Sequence, residues 1–264
     1  MKINWFSPIF PENTYINSYT NFVFSNLTKN AEVTVWTNQK ECQHEIYKYT
    51  CLRKYDLNDI PWSDINQADL NIYHIDNDAN FYYGIWSISC QCPGLIVLHN
   101  IKLHNFFLKI YKEKEANQYA YFLQMQKYYG YEGRKSAEML WNQNVLSEDI
   151  QFNYPLTFLA LENALCVIVH TQEALNYVQK EKKFCVNYLP ISDLNQWETK
   201  ISNESEIYTQ FILECGKKIR SLRHRLIAHQ LTQKVGEHVS FWSKPDMSDV
   251  EIKRIAEAIY FISA

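Results

Sequence analysis

Short apolar runs bounded by turn residues recur along the chain and restrict the folds open to it. The clearest is Gly94-Leu95-Ile96-Val97-Leu98, which follows Pro93 and runs into His99, Asn100, Ile101, Lys102, Leu103 and His104. Four apolar residues between turn signals are too few for a helix core and read as a strand buried on both faces. His99 and Asn100 fall at its carboxyl end, where an open parallel sheet binds its ligands.

The other runs fit the same scheme. Lys2 to Ile9, Ala31 to Thr37, a short edge segment from Thr50 to Tyr55, Ala68 to Ile75, Cys166 to Thr171 and Phe184 to Leu189 read as strands. Helical spacing links Ile16, Tyr19, Val23 and Leu27 within Tyr15 to Leu27. Pro61-Trp62 opens a short helix, since proline is tolerated in a first turn. Further helices are predicted for Phe81 to Cys92, Phe106 to Tyr111, Gln118 to Tyr129, Arg134 to Trp141 and Pro155 through Ala164. Thr171 is positioned to cap a helix from Glu173 to Lys180. Strand and helix in alternation predict an α/β fold, a doubly wound parallel sheet of Rossmann-like type, over residues 1–192.

From Asp193 onward the pattern becomes all-helical. Asn203-x-x-Glu206 and Ser248-x-x-Glu251 match capping boxes, and Ile252, Ile255, Ile259 and Ile262 share one helical face. Residues 193–264 are expected to form a helical extension packed on the sheet domain.

Composition narrows the function classes. With 47% apolar and 15% aromatic residues a packed core is expected, and a net charge of −3 gives no field favouring nucleic acid or an anionic membrane. No apolar stretch approaches the roughly 18 residues of a spanning helix. The N-terminus enters a strand-like run directly, which predicts no signal peptide. Seven scattered cysteines, an odd number without a C-x-x-C pair, point to reduced thiols and a cytoplasmic setting. Cys90-x-Cys92 reads as two ordinary helix-end thiols. Six glycines, none in a G-x-G arrangement, exclude a dinucleotide fingerprint and a phosphate loop, so no cofactor is expected.

His74, His99 and His170 each follow a strand at its carboxyl end, as do Ser7 and Thr37. In a doubly wound sheet these positions converge on one crevice, with Asp76 and His104 near enough in sequence to join it. Such histidines serve either as hydrogen-bonded structural residues or as acid–base groups. A metal site is not expected, because no paired-ligand motif such as H-E-x-x-H is present. The second cluster is basic: Lys217, Lys218, Arg220, Arg223, His224, Arg225 and His229. It reads as a solvated helix face or as an anion site built on Arg220, Arg223 and Arg225. Tyrosine, present 19 times, supplies either stacking faces for sugar rings or core and surface filler.

Several segments together resemble bacterial family 4 glycosyltransferases: N-W-F-S-P at Asn4 to Pro8, A-E-V-T-V-W-T at Ala31 to Thr37, P-G-L-I-V-L-H-N at Pro93 to Asn100, Y-P-L-T-F-L-A-L-E-N-A at Tyr154 to Ala164 and V-I-V-H-T at Val167 to Thr171. The resemblance implies the N-terminal, acceptor-side half of a GT-B pair over 1–192. It implies a crevice lined by Ser7, Thr14, Tyr15, Thr37, His74, Asp76, His99, Asn100, His104 and His170. The chain departs from the family at Asn13-Thr14-Tyr15-Ile16, which lacks the phosphate-approaching glycine, and at Asn100, where an acid is usual. No further strand–helix units follow Pro190, and Glu pairs with seven residues between them (Glu173/Glu181, Glu198/Glu206, Glu206/Glu214) sit in helices without glycine context.

The resemblance therefore implies an acceptor-side domain joined to terminal helices without a nucleotide-sugar domain. One expectation is a non-catalytic homologue that holds a sugar acceptor or a partner subunit. The alternative is a working transferase using a nucleotide sugar, minimal or completed by a partner chain. There His99 would deprotonate the acceptor or steady the leaving phosphate, and the 217–225 cluster would bind phosphate. A separate resemblance, of the R-x5-H spacing from Arg223 to His229 to the motif of HEPN-domain ribonuclease toxins, implies RNA cleavage in which the arginine holds phosphate.

Overall fold

The computed structural model describes residues 1–9, 15–39, 50–142, 148–181, 184–190 and 204–220; for Tyr15, Asn17 and Glu148 it describes the backbone alone. Seven strands form one all-parallel sheet in the order β3-β2-β1-β4-β5-β6-β7. They are β1 (Lys2–Phe6), β2 (Glu32–Thr37), β3 (Cys51–Lys54), β4 (Leu70–Ile75), β5 (Gly94–Leu98), β6 (Ala164–Val169) and β7 (Val186–Tyr188). The winding direction reverses between β1 and β4, which places a topological switch point at the sheet centre.

Burial follows position in the sheet. Every residue of β4 and β5 is buried, whereas the edge strand β3 is mostly exposed. Continuous apolar runs are required where helices cover both faces. One face presents Trp5, Val35, Ile72, Val97 and Ile168 to α1 (Tyr15–Asn30) and to a helix over residues 204–220, here α9. Tyr208, Ile212, Cys215 and Ile219 of α9 fall at helical spacing and are all buried. The opposite face packs Phe6, Tyr73, Ile96 and Val167 against α3 (Ala79–Gln91), α4 (His104–Lys109), α5 (Gln118–Trp141) and α8 (Gln172–Val178). Short helices α2 (Trp62–Ile65), α6 (Glu148–Asn153) and α7 (Thr157–Ala160) complete the set. No helix among the described residues is long and apolar enough to cross a membrane.

Local chemistry sets the element ends. The Asp78 side chain accepts from the Asn80 N–H and opens α3, and Thr171 Oγ1 accepts from the Ala174 N–H to open α8, as its sequence predicts. The two helices expected at 118–129 and 134–141 form one run, α5, broken by Gly130 at φ 66° and ψ −156°. The helix expected from Pro155 through Ala164 is cut to Thr157–Ala160. Leu156 stands in the left-handed region at φ 56°, which helix geometry cannot accommodate, and Ala164 already belongs to β6. Helix α6 has no counterpart in the sequence-based reading. The remainder of the expected extension, 193–203 and 221–264, lies outside the described residues.

Gly94 is dictated by space. A Cβ there would lie 2.3 Å from the Asn71 carbonyl oxygen and 2.8 Å from the Tyr73 ring. Overpacking against backbone costs about 3 kcal/mol when the strand cannot move. Gly94→Ala is expected to lower stability by that amount in urea denaturation; a loss below about 1 kcal/mol would show that β4 yields easily.

Candidate functional site

Three strand ends bring three imidazoles together. His74 lies in β4, and His99 and His170 directly follow β5 and β6. Side chains alternate along a strand, so His74, His99 and His170 share a face with Ile72, Val97 and Ile168. His74 Nδ1 and His99 Nε2 are 2.9 Å apart, and these two rings stack at 5.2 Å and 20°. His170 follows at 5.3 Å from His99. Tyr19 of α1 lies over all three rings, at 5.4, 5.5 and 5.2 Å. Trp5 packs against His74 at 4.5 Å, and Tyr208 of α9 lies 6.2 Å from His170.

Hydrogen bonding assigns the proton of His170. The Leu189 carbonyl accepts from Tyr208 Oη at 2.5 Å and from His170 Nδ1 at 3.0 Å. A carbonyl only accepts, so His170 carries its proton on Nδ1 and keeps a lone pair on Nε2. Between His74 and His99 one nitrogen must donate. His74 Nε2 is buried with no partner among the described residues. Either ring can donate while the other accepts across this contact.

All three rings are neutral near pH 7. Burial lowers His74 to about 3, with help from nearby His170. Burial also lowers His99 well below the ordinary value, with His74 and His170 adding to the effect. His170 falls to about 4 through burial, opposed by its bond to Leu189. His99 and His170 keep partly accessible edges, but His99 Nδ1 and His170 Nε2 are themselves buried. The cluster can exchange hydrogen bonds with a neutral ligand and can take up a proton. It offers no fixed positive charge for a diphosphate.

The rim is polar. Asp76 Oδ1 accepts from the Asn77 N–H at 2.7 Å, and the Asn100 side chain also donates to this carboxylate. Burial nevertheless holds the Asp76 carboxyl above its usual range. Asn100 Oδ1 accepts from the Lys102 N–H at 2.8 Å, which fixes the amide with its NH2 toward Asp76. Ser7 and Thr37 are buried at the ends of β1 and β2, where Ser7 Oγ donates to the Pro8 carbonyl and Thr37 Oγ1 accepts from the Gln39 N–H.

Other expected members lie elsewhere. His104 belongs to the opposite face of the sheet. Its Nδ1 is 2.5 Å from the Tyr154 carbonyl and its Nε2 is 2.8 Å from Tyr121 Oη, and burial lowers it to about 4. The reason is α4, which begins at His104 and directs it beneath α5. Arg220, from the separate basic cluster, lies away from the crevice. Its Nε lies 3.3 Å from Asp69 Oδ1, and Asp69 Oδ2 accepts from the Lys2 N–H. Asp69 and Lys2 mark the amino edge of the sheet, so α9 carries Tyr208 to the histidines and Arg220 to the far end. Arg220 therefore cannot join an anion site at the crevice. Thr14, the side chain of Tyr15, Arg223, Arg225 and His229 lie outside the described residues. Among the described residues no group of three or more His, Cys, Asp or Glu side chains is placed to hold a metal ion.

Tyr19, Tyr208 and Trp5 are the members that sequence reasoning did not assign to the site. Tyr19 carried a signal only as a core position of α1; nothing in the sequence joins Tyr208 to His170 across 38 positions. Comparisons with family models, curated proteins and solved structures found no match to the chain. Fold and site thus define the class: a Rossmann-like α/β protein with an all-parallel seven-stranded sheet and a neutral imidazole cluster at its carboxyl edge.

Proposed function

We propose that this is a glycosyltransferase-like protein, related to family 4, that keeps the acceptor-side half of a GT-B pair and binds a hydroxyl-bearing acceptor or a partner chain without completing transfer alone. The observation that carries this reading is the convergence of His74, His99 and His170 at equivalent strand ends, all held neutral by burial. Neutral imidazoles suit hydroxyl groups, which both donate and accept. Nucleotide diphosphates call for cationic or helix-terminal partners instead, and Arg220 is committed to Asp69 at the other edge. The reading fits a reducing, cytoplasmic setting.

A working transferase is the second reading. It is favoured by His99, whose neutral ring could take the proton of an acceptor hydroxyl. Calorimetric titration with UDP, GDP and their sugar conjugates separates the two. No micromolar binding is expected. Micromolar binding that disappears in a folded His99→Ala variant would overturn the non-catalytic reading and establish a donor site within this chain.

A further inference from the structure

Below His170, on the same face of the sheet, three thiols meet. Cys166 of β6 and Cys185, which immediately precedes β7, have their sulfurs 3.5 Å apart. Cys215 of α9 also reaches the Cys166 sulfur. All three are buried, and none is in a disulfide. Asn187 Nδ2 lies 3.4 Å from Cys166 Sγ and 3.7 Å from Cys185 Sγ, so one amide donates toward both sulfurs. The pairing of Val167 with Val186 makes Cys166 and Cys185 lateral neighbours on adjacent strands. Strands lie about 4.8 Å apart, within the Cα separation a disulfide spans.

We propose that Cys166 and Cys185 form an oxidation site, closed to a disulfide by hydrogen peroxide. The entry point is Cys185, because it leads into β7, a three-residue edge strand, and short edges open first. In the first step the Cys185 sulfur attacks one peroxide oxygen. The O–O bond breaks, a sulfenic acid forms, and the displaced hydroxide leaves as water with the thiol proton. In the second step the Cys166 sulfur attacks the sulfenic sulfur. An S–S bond forms, the S–O bond breaks, and hydroxide leaves as water with the Cys166 proton. Two thiols lose two electrons to one peroxide, which becomes two waters. Cys215 stays a thiol, since Asn187 gathers the other two sulfurs. This site is independent of the acceptor-binding reading.

The test uses the full reduced chain, treated with hydrogen peroxide while folded and then alkylated in denaturant. Cleavage after lysine and arginine places Cys166, Cys185 and Cys215 in three different peptides. Mass spectrometry without reductant is expected to find the Cys166 and Cys185 peptides joined and Cys215 alkylated. In Cys166→Ser, the joined species should vanish and dimedone should trap a sulfenic acid on Cys185. Recovery of both cysteines alkylated, under peroxide that oxidises free cysteine, would overturn the proposal. So would a link from Cys166 to Cys215. If Cys166→Ser fails to fold by circular dichroism, the wild-type peptide map decides alone.

Discussion

Lowering the pH from 7 to 5 is expected to unfold the protein cooperatively. His74, His99, His104 and His170 are all depressed from the ordinary histidine value by burial, to about 3 for His74 and about 4 for His104 and His170. In the unfolded chain each regains a pKa of about 6.5. The unfolded state therefore binds more protons between roughly pH 6.5 and pH 4, and stability falls as pH falls through that window. Above pH 7 the contribution is fully present. Each histidine removes about 1.4 kcal/mol per pH unit, so four remove roughly 5 kcal/mol per unit. That is the lower end of an ordinary domain's total stability, about 5–15 kcal/mol. Urea denaturation followed by circular dichroism at pH 7, 6 and 5 measures the slope. A stability unchanged over this range would show that the histidines are charged, or solvated, in the folded protein. Replacing His104 with glutamine should flatten the slope by about a quarter, because its network is separate from the other three.

A second large effect is expected from Asn4, in the middle of β1. Its Nδ2 donates to the Ile65 carbonyl and to Asn71 Oδ1, each at 2.8 Å. Its Oδ1 accepts from Trp36 Nε1, also at 2.8 Å. Asn71 in turn donates to Cys92 Sγ at 3.1 Å. Asn4→Ala would leave a carbonyl, an amide oxygen and an indole N–H without partners, each costing about 1–3 kcal/mol when dry. A polar cavity of about 60 Å3 at the amino edge borders Asn4 and Trp36, and water from it can replace part of the loss. The expected net destabilisation is about 3 kcal/mol, near the bottom of the summed range. Asn4→Asp keeps the acceptor for Trp36 but turns a charge toward two carbonyl-type oxygens, so it should cost at least as much. Either variant within about 0.5 kcal/mol of wild type in urea would mean that this network adds little to stability.

The sheet was legible because its strands are short apolar runs between turn residues. Gly94–Leu98 and Leu70–Ile75 needed only their burial pattern. The convergence of His74, His99 and His170 was legible from the rule that parallel strands end together at one edge. That rule fixes an edge but not a face beyond the strand end, which is why His104 was grouped with His99 although α4 carries it to the other side. The place of Arg220 was illegible for a related reason. Composition groups it with its neighbours along α9, but only packing reveals which end of the sheet that end of the helix reaches. Asn4 and Asn71 gave no signal, because a polar residue inside an apolar run looks the same whether it faces a partner or solvent.

β4, β5 and β6 are apolar on both faces, so hydrophobic alternation alone does not prescribe their alignment during folding. A slip of β5 by one residue would carry His99 from the side of Tyr19 to that of Leu103 and Phe106, away from its bond with His74. It would also move Gly94 from the spot where the Asn71 carbonyl tolerates no Cβ. The imidazoles at the crevice and the asparagines beneath it thus act as alignment marks, penalising every misregistered sheet with an unpaired polar group. A sequence with His74, His99, Asn4 and Asn71 all replaced by apolar residues would keep its strands but lose the means of choosing among their pairings.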